Sequence, residues 1–275
     1  MADPIYGLQR RPGSLAQLSR FTDGWGDQKA GFLLPLAFQD YFFKFYDFQE
    51  DTINADWTVS EKAAGSDVFA ISTSVENGAL VGTTAATDNT MIGLNYDGVF
   101  FDANRSPGML VRMKVNTAAS TYWEVGFCDA PTQAYDANWT VTTGTADPSL
   151  VSNGTTDVAS IVIDTDATQK SAVVCAVGTT DSTPKLAVLG DIPGVSPAAD
   201  DTYMTFLLQI NSAAAATAGA NSVSACINGN PVLSNTVNAG LDTAVALRPY
   251  IVCGNRAASA RTFTIDYVAI WCNRQ

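Results

Sequence analysis

The chain contains no histidine. That removes the commonest general base, the commonest zinc and copper ligand, and the usual partner of a serine or cysteine nucleophile. Any chemistry therefore falls to carboxylates, lysine or tyrosine. The glutamates are Glu50, Glu61, Glu76 and Glu124. Glu124 lies in an alternating stretch beside Trp123 and is expected to point outward as an exposed strand residue. Asp56 stands next to Trp57, a pairing that could stack a sugar, but a tryptophan just after a turn is expected in the core. Asp164-x-Asp166, at an expected hairpin tip, and Asp200-Asp201, before a strand, could each offer oxygens to calcium. Calcium needs six to eight such ligands, and no loop has the dense DxDxDG spacing. Gly24-Trp25-Gly26 lacks the Lys-Ser/Thr of a phosphate loop. No catalytic residue, metal ligand or cofactor is expected.

The five cysteines are Cys128, Cys175, Cys226, Cys253 and Cys272. Their number is odd, none forms a CxxC, and most sit in apolar runs. They are expected to be buried reduced thiols that pack as small hydrophobes, in a chain that folds in a reducing cytosol. The formal net charge of -12 repels nucleic acid and anionic membrane, so neither is an expected partner. The start, MADPIYGLQRRPG, has no signal-peptide core, and no apolar run is long enough to span a membrane.

The elements that must position these residues read as strands. With 275 residues the chain suits one large β domain with an appendage, or two small domains. Residues 1–35 form the appendage. Pro4, Gly7, Pro12, Gly13, Gly24, Gly26, Gly31 and Pro35 break any regular element there. Yet Ile5, Tyr6, Leu8, Phe21, Trp25, Phe32, Leu33 and Leu34 are too apolar for a disordered tail, and Arg10 and Arg11 add positive charge. The composition predicts an extended arm built to lie on something. Residues 36–275 form the sandwich, opening with the aromatic stretch LAFQDYFFKFYDFQ, which reads as a strand apolar on both faces.

From Asp51 onward strand patterns alternate with turns. Val111, Met113 and Val115 point in while Arg112 and Lys114 point out; Trp123, Val125 and Phe127 point in; Met204, Phe206, Leu208 and Ile210 share a face. Ser160–Asp164 and Ala172–Val177 read as a hairpin, and Asn228-Gly229-Asn230-Pro231 as a turn after Val223–Ile227. In the closing strand Phe263, Ile265, Tyr267, Ala269 and Trp271 are expected on one face. Such an ending is expected to complete the domain without a tail. Many strands, little helical periodicity and frequent turns predict an all-β, two-sheet antiparallel sandwich.

NGALVG at 77–82, SPGMLVRMKV at 106–115, YWEVGFCD at 122–129, VSACINGNPV at 223–232 and FTIDYVAIW at 263–271 occur in an order that resembles the concanavalin A-like jelly roll. Laminin-G modules, legume-type lectins and bacterial β-glucanases share that fold. The Ala/Thr/Ser-rich loops and irregular arm resemble the domain as tailed bacteriophages encode it. The resemblance covers about residues 50–275 and implies a jelly roll with an extended, largely irregular N-terminal arm.

A glucanase of this kind carries Glu-x-Asp-x-x-Glu on one strand, and its two carboxyls flank the sugar bond. This chain lacks that pattern, so it is expected not to be an enzyme. The resemblance implies a capsid decoration (cement) protein on the outer surface of a virion, made in the host cytoplasm. Its partners would be the major capsid protein and itself, as a homotrimer. The partner-binding residues would be Ile5, Tyr6, Leu8, Arg10, Arg11, Phe21, Trp25, Phe32, Leu33 and Leu34 of the arm. The alternative is a carbohydrate-binding module of a tail or fibre that reads host glycans with Tyr135 and Trp139.

Overall fold

The computed structural model describes residues 41–61, 67–74, 78–98, 101–129, 141–142, 149–150, 157–166, 173–178, 181–188, 200–211, 221–231, 237–238, 241 and 245–273. In chain order the strands are β1 (Tyr41–Tyr46), β2 (Trp57–Glu61), β3 (Asp67–Ile71), β4 (Leu80–Thr83), β5 (Met91–Tyr96), β6 (Gly108–Val115), β7 (Thr121–Cys128), β8 (Val141–Thr142), β9 (Ser149–Leu150), β10 (Val158–Asp164), β11 (Val173–Gly178), β12 (Asp181–Val188), β13 (Met204–Asn211), β14 (Ser222–Ile227), β15 (Asn230–Pro231), β16 (Val237–Asn238), β17 (Arg248–Asn255) and β18 (Thr262–Asn273). A 3-10 turn, Ala103–Arg105, is the one helical element among the described residues.

These strands make a nine-stranded sheet and a seven-stranded sheet, with β8 and β9 as a separate pair. The larger sheet runs β15-β14-β13-β6-β18-β4-β3, with β1 added along β18 and β16 along β14. The smaller runs β12-β11-β10-β7-β17-β5-β2, which puts β7 at its centre. Every pairing described is antiparallel, the expected sandwich. Each sheet turns one set of alternate side chains toward the other. From the larger come Met109, Val111, Met113, Phe206, Leu208, Phe263 and Ile265; from the smaller come Ile92, Leu94, Trp123, Val125, Phe127, Ile161 and Ile251, all in one core. Trp123 bridges the layers, its ring 5.8 Å from both Phe206 and Phe263.

Local patterns placed several elements correctly. Arg112 and Lys114 lie outward of the core, and Met204 to Ile210 alternate as expected. Val158 to Val162 pair with Val173 to Val177 in the expected hairpin. At the 228–231 turn, Asn228 has φ 52° and Gly229 has φ 75°, so both centre residues are left-handed, as the tightest hairpins require. β1 is apolar on both faces: Phe42 and Tyr46 join the core, while Phe45 packs on Tyr267 at 5.6 Å on the other side. Trp57 is 5% exposed and packs edge-on to Tyr46 and Tyr96.

The closing strand departs from expectation. Phe263 and Ile265 face the core, but so do Val268, Ile270 and Cys272. Tyr267, Ala269 and Trp271 therefore lie on the opposite face from Phe263. A register shift between Ile265 and Tyr267 is the cause. One extra residue at a bulge reverses the alternation for the rest of the strand.

Candidate functional site

The face of the seven-stranded sheet turned away from the core carries the densest polar cluster of that sheet among the described residues. Glu124, on the central strand β7, is 0% exposed, although the alternation of Tyr122–Cys128 suggested an outward, solvated carboxylate. It does face away from the core, but that face is covered too: Tyr122, Val158, Val162, Tyr250 and Val252 are also at 0–1%. Alternation reports which side of a sheet a residue takes. It does not report whether that side meets water.

Among the described residues, three hydroxyls serve Glu124. Tyr122 donates to Oε2 at 2.6 Å, Ser160 donates to Oε1 at 3.2 Å, and the Tyr250 hydroxyl donates to Oε1 as well. The register explains how they converge. Ser160 on β10 and Tyr250 on β17 both stand opposite Gly126, two residues beyond Glu124 on β7. A Cβ on Gly126 would drive into the Ala159 carbonyl and Ser160. The bare glycine lets β10 close up and leaves its flanking side chains to lean over toward the carboxyl group.

Next along the same face, Asp164 stands opposite Tyr122. It is held by Arg256, with Nε at 3.1 Å and Nη2 at 3.0 Å, and Arg256 also lies 4.7 Å over the Tyr122 ring. Glu124 and Asp164 are thus diagonal neighbours on adjacent strands, an arrangement that sets backbones about 7–8 Å apart. Carboxyl groups roughly 6.5–9.5 Å apart serve inverting glycosidases. Here Glu124 is sealed and Asp164 is committed to an arginine, so a sugar reaches neither without displacing what covers them. Of the other carboxylates considered for calcium, Asp166 lies 3.5 Å from the Ser120 hydroxyl, Asp200 accepts from the Ala118 N–H at 2.7 Å, and the exposed Asp201 lies 3.3 Å from Lys114. No group of three or more acidic or cysteine side chains suited to a metal occurs among the described residues.

A second polar site is open. Lys44 and Tyr46 of β1 both reach Asp56, at 2.5 and 2.7 Å. Asn54 fixes the loop by accepting the Asp56 N–H at 2.9 Å. Beside this triad lies a pocket of about 240 Å³, lined among others by Phe45, Phe48, Glu50, Thr52, Asn54 and Asp56. The Lys44 and Tyr46 hydrogen bonds hold the Asp56 carboxyl below its ordinary range against a smaller effect of burial. Burial alone would lower the Lys44 ammonium, but bonds to Asp56 and Tyr96 outweigh it and raise it. Burial, reinforced by Asp56, pushes the Tyr46 phenol up.

The outer face of the nine-stranded sheet differs again. Phe43, Phe45, Arg112, Lys114, Tyr203 and Tyr267 are all half-buried there. Arg112 stacks 4.0 Å from the Tyr203 ring centre and pairs with Asp266, and Lys114 approaches the same ring at 5.2 Å. Farther along, Trp271 lies over Gly108 and donates to Gln209 at 3.0 Å.

The arm residues Ile5, Tyr6, Leu8, Arg10, Arg11, Phe21, Trp25, Phe32, Leu33 and Leu34 lie outside the described residues, as do Tyr135 and Trp139. Sequence reasoning missed the Glu124 cluster. Its visible signal was a glycine in mid-strand two residues after a carboxylate, with a tyrosine two residues before.

No family model matches the sequence, and no curated protein does. Solved structures do match the fold. LamAcat from Zobellia galactanivorans aligns at TM-score 0.51 and 11% identity, over 86% of this chain and 98% of its own. The catalytic domain of an endo-1,3-β-glucanase (laminarinase) from Thermotoga petrophila aligns at 0.50 and 11%, over 86% and 100%. Peanut lectin aligns at 0.50 and 9%, over 85% and 97%. The fold is the lectin and glucanase jelly roll.

One expectation is corrected by this. The missing Glu-x-Asp-x-x-Glu strand led to the conclusion that the chain is not an enzyme. A catalytic glucanase domain shares the sandwich, and the chain does place two carboxyl groups on one face from neighbouring strands. A one-strand motif cannot exclude a site assembled across strands, so that conclusion is withdrawn.

Proposed function

We propose that the chain is a structural protein of a virion, a decoration protein that binds an assembled shell and stabilises it. The observation that carries this reading is the sealing of Glu124, Tyr122 and Tyr250 at 0% exposure on the seven-stranded sheet. A groove that takes a glycan needs an open concave face with a few convergent polar groups. Here the polar groups converge on one another. The half-buried aromatic and cationic face around Phe45, Tyr267 and Arg112 is of the kind that protein interfaces favour. Binding the assembled shell but not its loose subunits would stabilise it by mass action. In this reading the arm from Ile5 to Leu34 grips the major capsid protein, and the chain works as a homotrimer on the outer capsid surface.

The test adds the purified chain to undecorated shells and measures co-sedimentation and the temperature at which the shells rupture. Binding with a raised rupture temperature is expected. No association, with the rupture temperature unchanged, sinks the reading. Deleting residues 1–35 should abolish attachment; full attachment by the shortened chain would remove the arm from the proposal.

A second reading rests on the pocket beside Lys44, Tyr46 and Asp56. Its carboxylates, amide, hydroxyl and aromatic rings are the groups that hold a sugar, so the chain would recognise host glycans there. A glycan array checks it: hits that vanish on Asp56→Ala favour this reading, and an empty array discards it.

A further inference from the structure

At one end of the sandwich, the fully buried side chain of Asn255 ties the loop between β4 and β5 to the loop between β17 and β18. Its Oδ1 accepts the Thr90 backbone N–H at 2.9 Å and the Thr90 hydroxyl at 2.8 Å. A backbone N–H can only donate, so this contact fixes which way the amide points. Nδ2 is therefore the atom that faces the loops. Around it stand four backbone carbonyl oxygens: Ala85 at 2.9 Å, and Thr87, Ala257 and Ser259 at 3.0 Å each.

An amide nitrogen carries two hydrogens. Four acceptors at bonding distance exceed what it can serve with separate, well-aligned bonds. A cluster of converging carbonyl oxygens is what a cation would hold, as rings of backbone carbonyls do for potassium. The spacing selects the ion. Calcium binds oxygen at about 2.3–2.6 Å and magnesium at about 2.0–2.1 Å, both too short for this cage. Ammonium, a donor of four hydrogen bonds, fits N···O distances of this length. Thr87 and Ser259 are exposed, which leaves the cage walls within reach of solvent.

We infer that these four carbonyls form a site for a monovalent cation of ammonium or potassium size, which the native chain fills with its own Asn255 amide. The amide group stands in for the ion, so this end of the sandwich is closed without one. Truncating the side chain should open the site to the ion itself.

The test is the thermal midpoint of Asn255→Ala in ammonium, potassium, sodium and tetramethylammonium chlorides at equal ionic strength. The variant should melt below the native protein in the last two salts. At tenfold excess over Kd, ammonium or potassium should raise its midpoint by about 3–6 °C relative to them. The native protein should respond alike to all four. Identical midpoints for the variant across the four salts overturn the inference. If the variant does not fold, the native protein still decides. By NMR, both side-chain amide protons of Asn255 should exchange with solvent at least roughly tenfold more slowly than those of exposed Asn228. Equal rates would mean that the cage does not hold the amide, and the inference fails.

Discussion

Two patches on the outward faces of the sandwich, one around Glu124 and one around Tyr267, are built from aromatic and charged residues and end in opposite states. On the seven-stranded sheet, tyrosines surround a carboxyl group, and Glu124, Tyr122 and Tyr250 are sealed. On the nine-stranded sheet, tyrosine and phenylalanine flank arginine and lysine, and the row around Tyr267 stays half-buried. The first arrangement spends its hydrogen-bonding capacity internally. The second leaves aromatic area and cationic edges in reach of a neighbour. Mutations should therefore cost stability on one face and association on the other.

The largest effect is expected at Glu124. Glu124→Ala removes an acceptor shared by three buried hydroxyls, and a buried donor that loses its acceptor costs about 1–3 kcal/mol. A loss of about 3 kcal/mol or more should show in urea unfolding. A loss below about 1 kcal/mol would mean that the face is wetter than its burial indicates. Gly126→Ala comes next. Its Cβ meets backbone rather than a movable side-chain tip, so about 1–3 kcal/mol is expected from the same measurement.

Across the molecule, Tyr267→Ala should lower stability by less than Glu124→Ala and weaken shell attachment in the co-sedimentation assay. If it leaves attachment untouched, the nine-stranded face is not the interface. The smallest effect is electrostatic. Asp56 has a depressed pKa, so its contribution is present above the unfolded carboxylate range and lost as pH falls through the lower folded value. Lys44 has a raised one, so its contribution is present below the ordinary lysine value and fades as pH climbs through the folded value. A half-exposed pair of this kind is worth at most about 1 kcal/mol. Asp56→Asn should lower stability by at most about 1 kcal/mol at neutral pH and change it little in acid, where the Asp56 contribution is already lost, so that the two stability–pH profiles converge as pH falls.

Much of the fold was legible because it is written locally. The period-2 alternation of Val111, Met113 and Val115 names a core face, and Asn228-Gly229 names a tight hairpin. The closing strand shows where that reading fails. Nothing local to Ile265, Asp266 and Tyr267 announces a bulge, because the extra residue is defined only against the partner strand β6. The Glu124 cluster was illegible for a related reason. Its donors come from positions 122, 160 and 250, and only the register that sets Ser160 and Tyr250 opposite Gly126 brings them together.

The sequence by itself determined that the chain is a β-sandwich, which side chains alternate into its core, and that no histidine chemistry is available. Those are properties of residue type and short-range spacing. Only the tertiary structure decided which outward faces are dry, where the last strand reverses its faces, and what Asn255 holds. These depend on contacts between residues up to 170 positions apart, and on which surfaces the rest of the chain keeps from water.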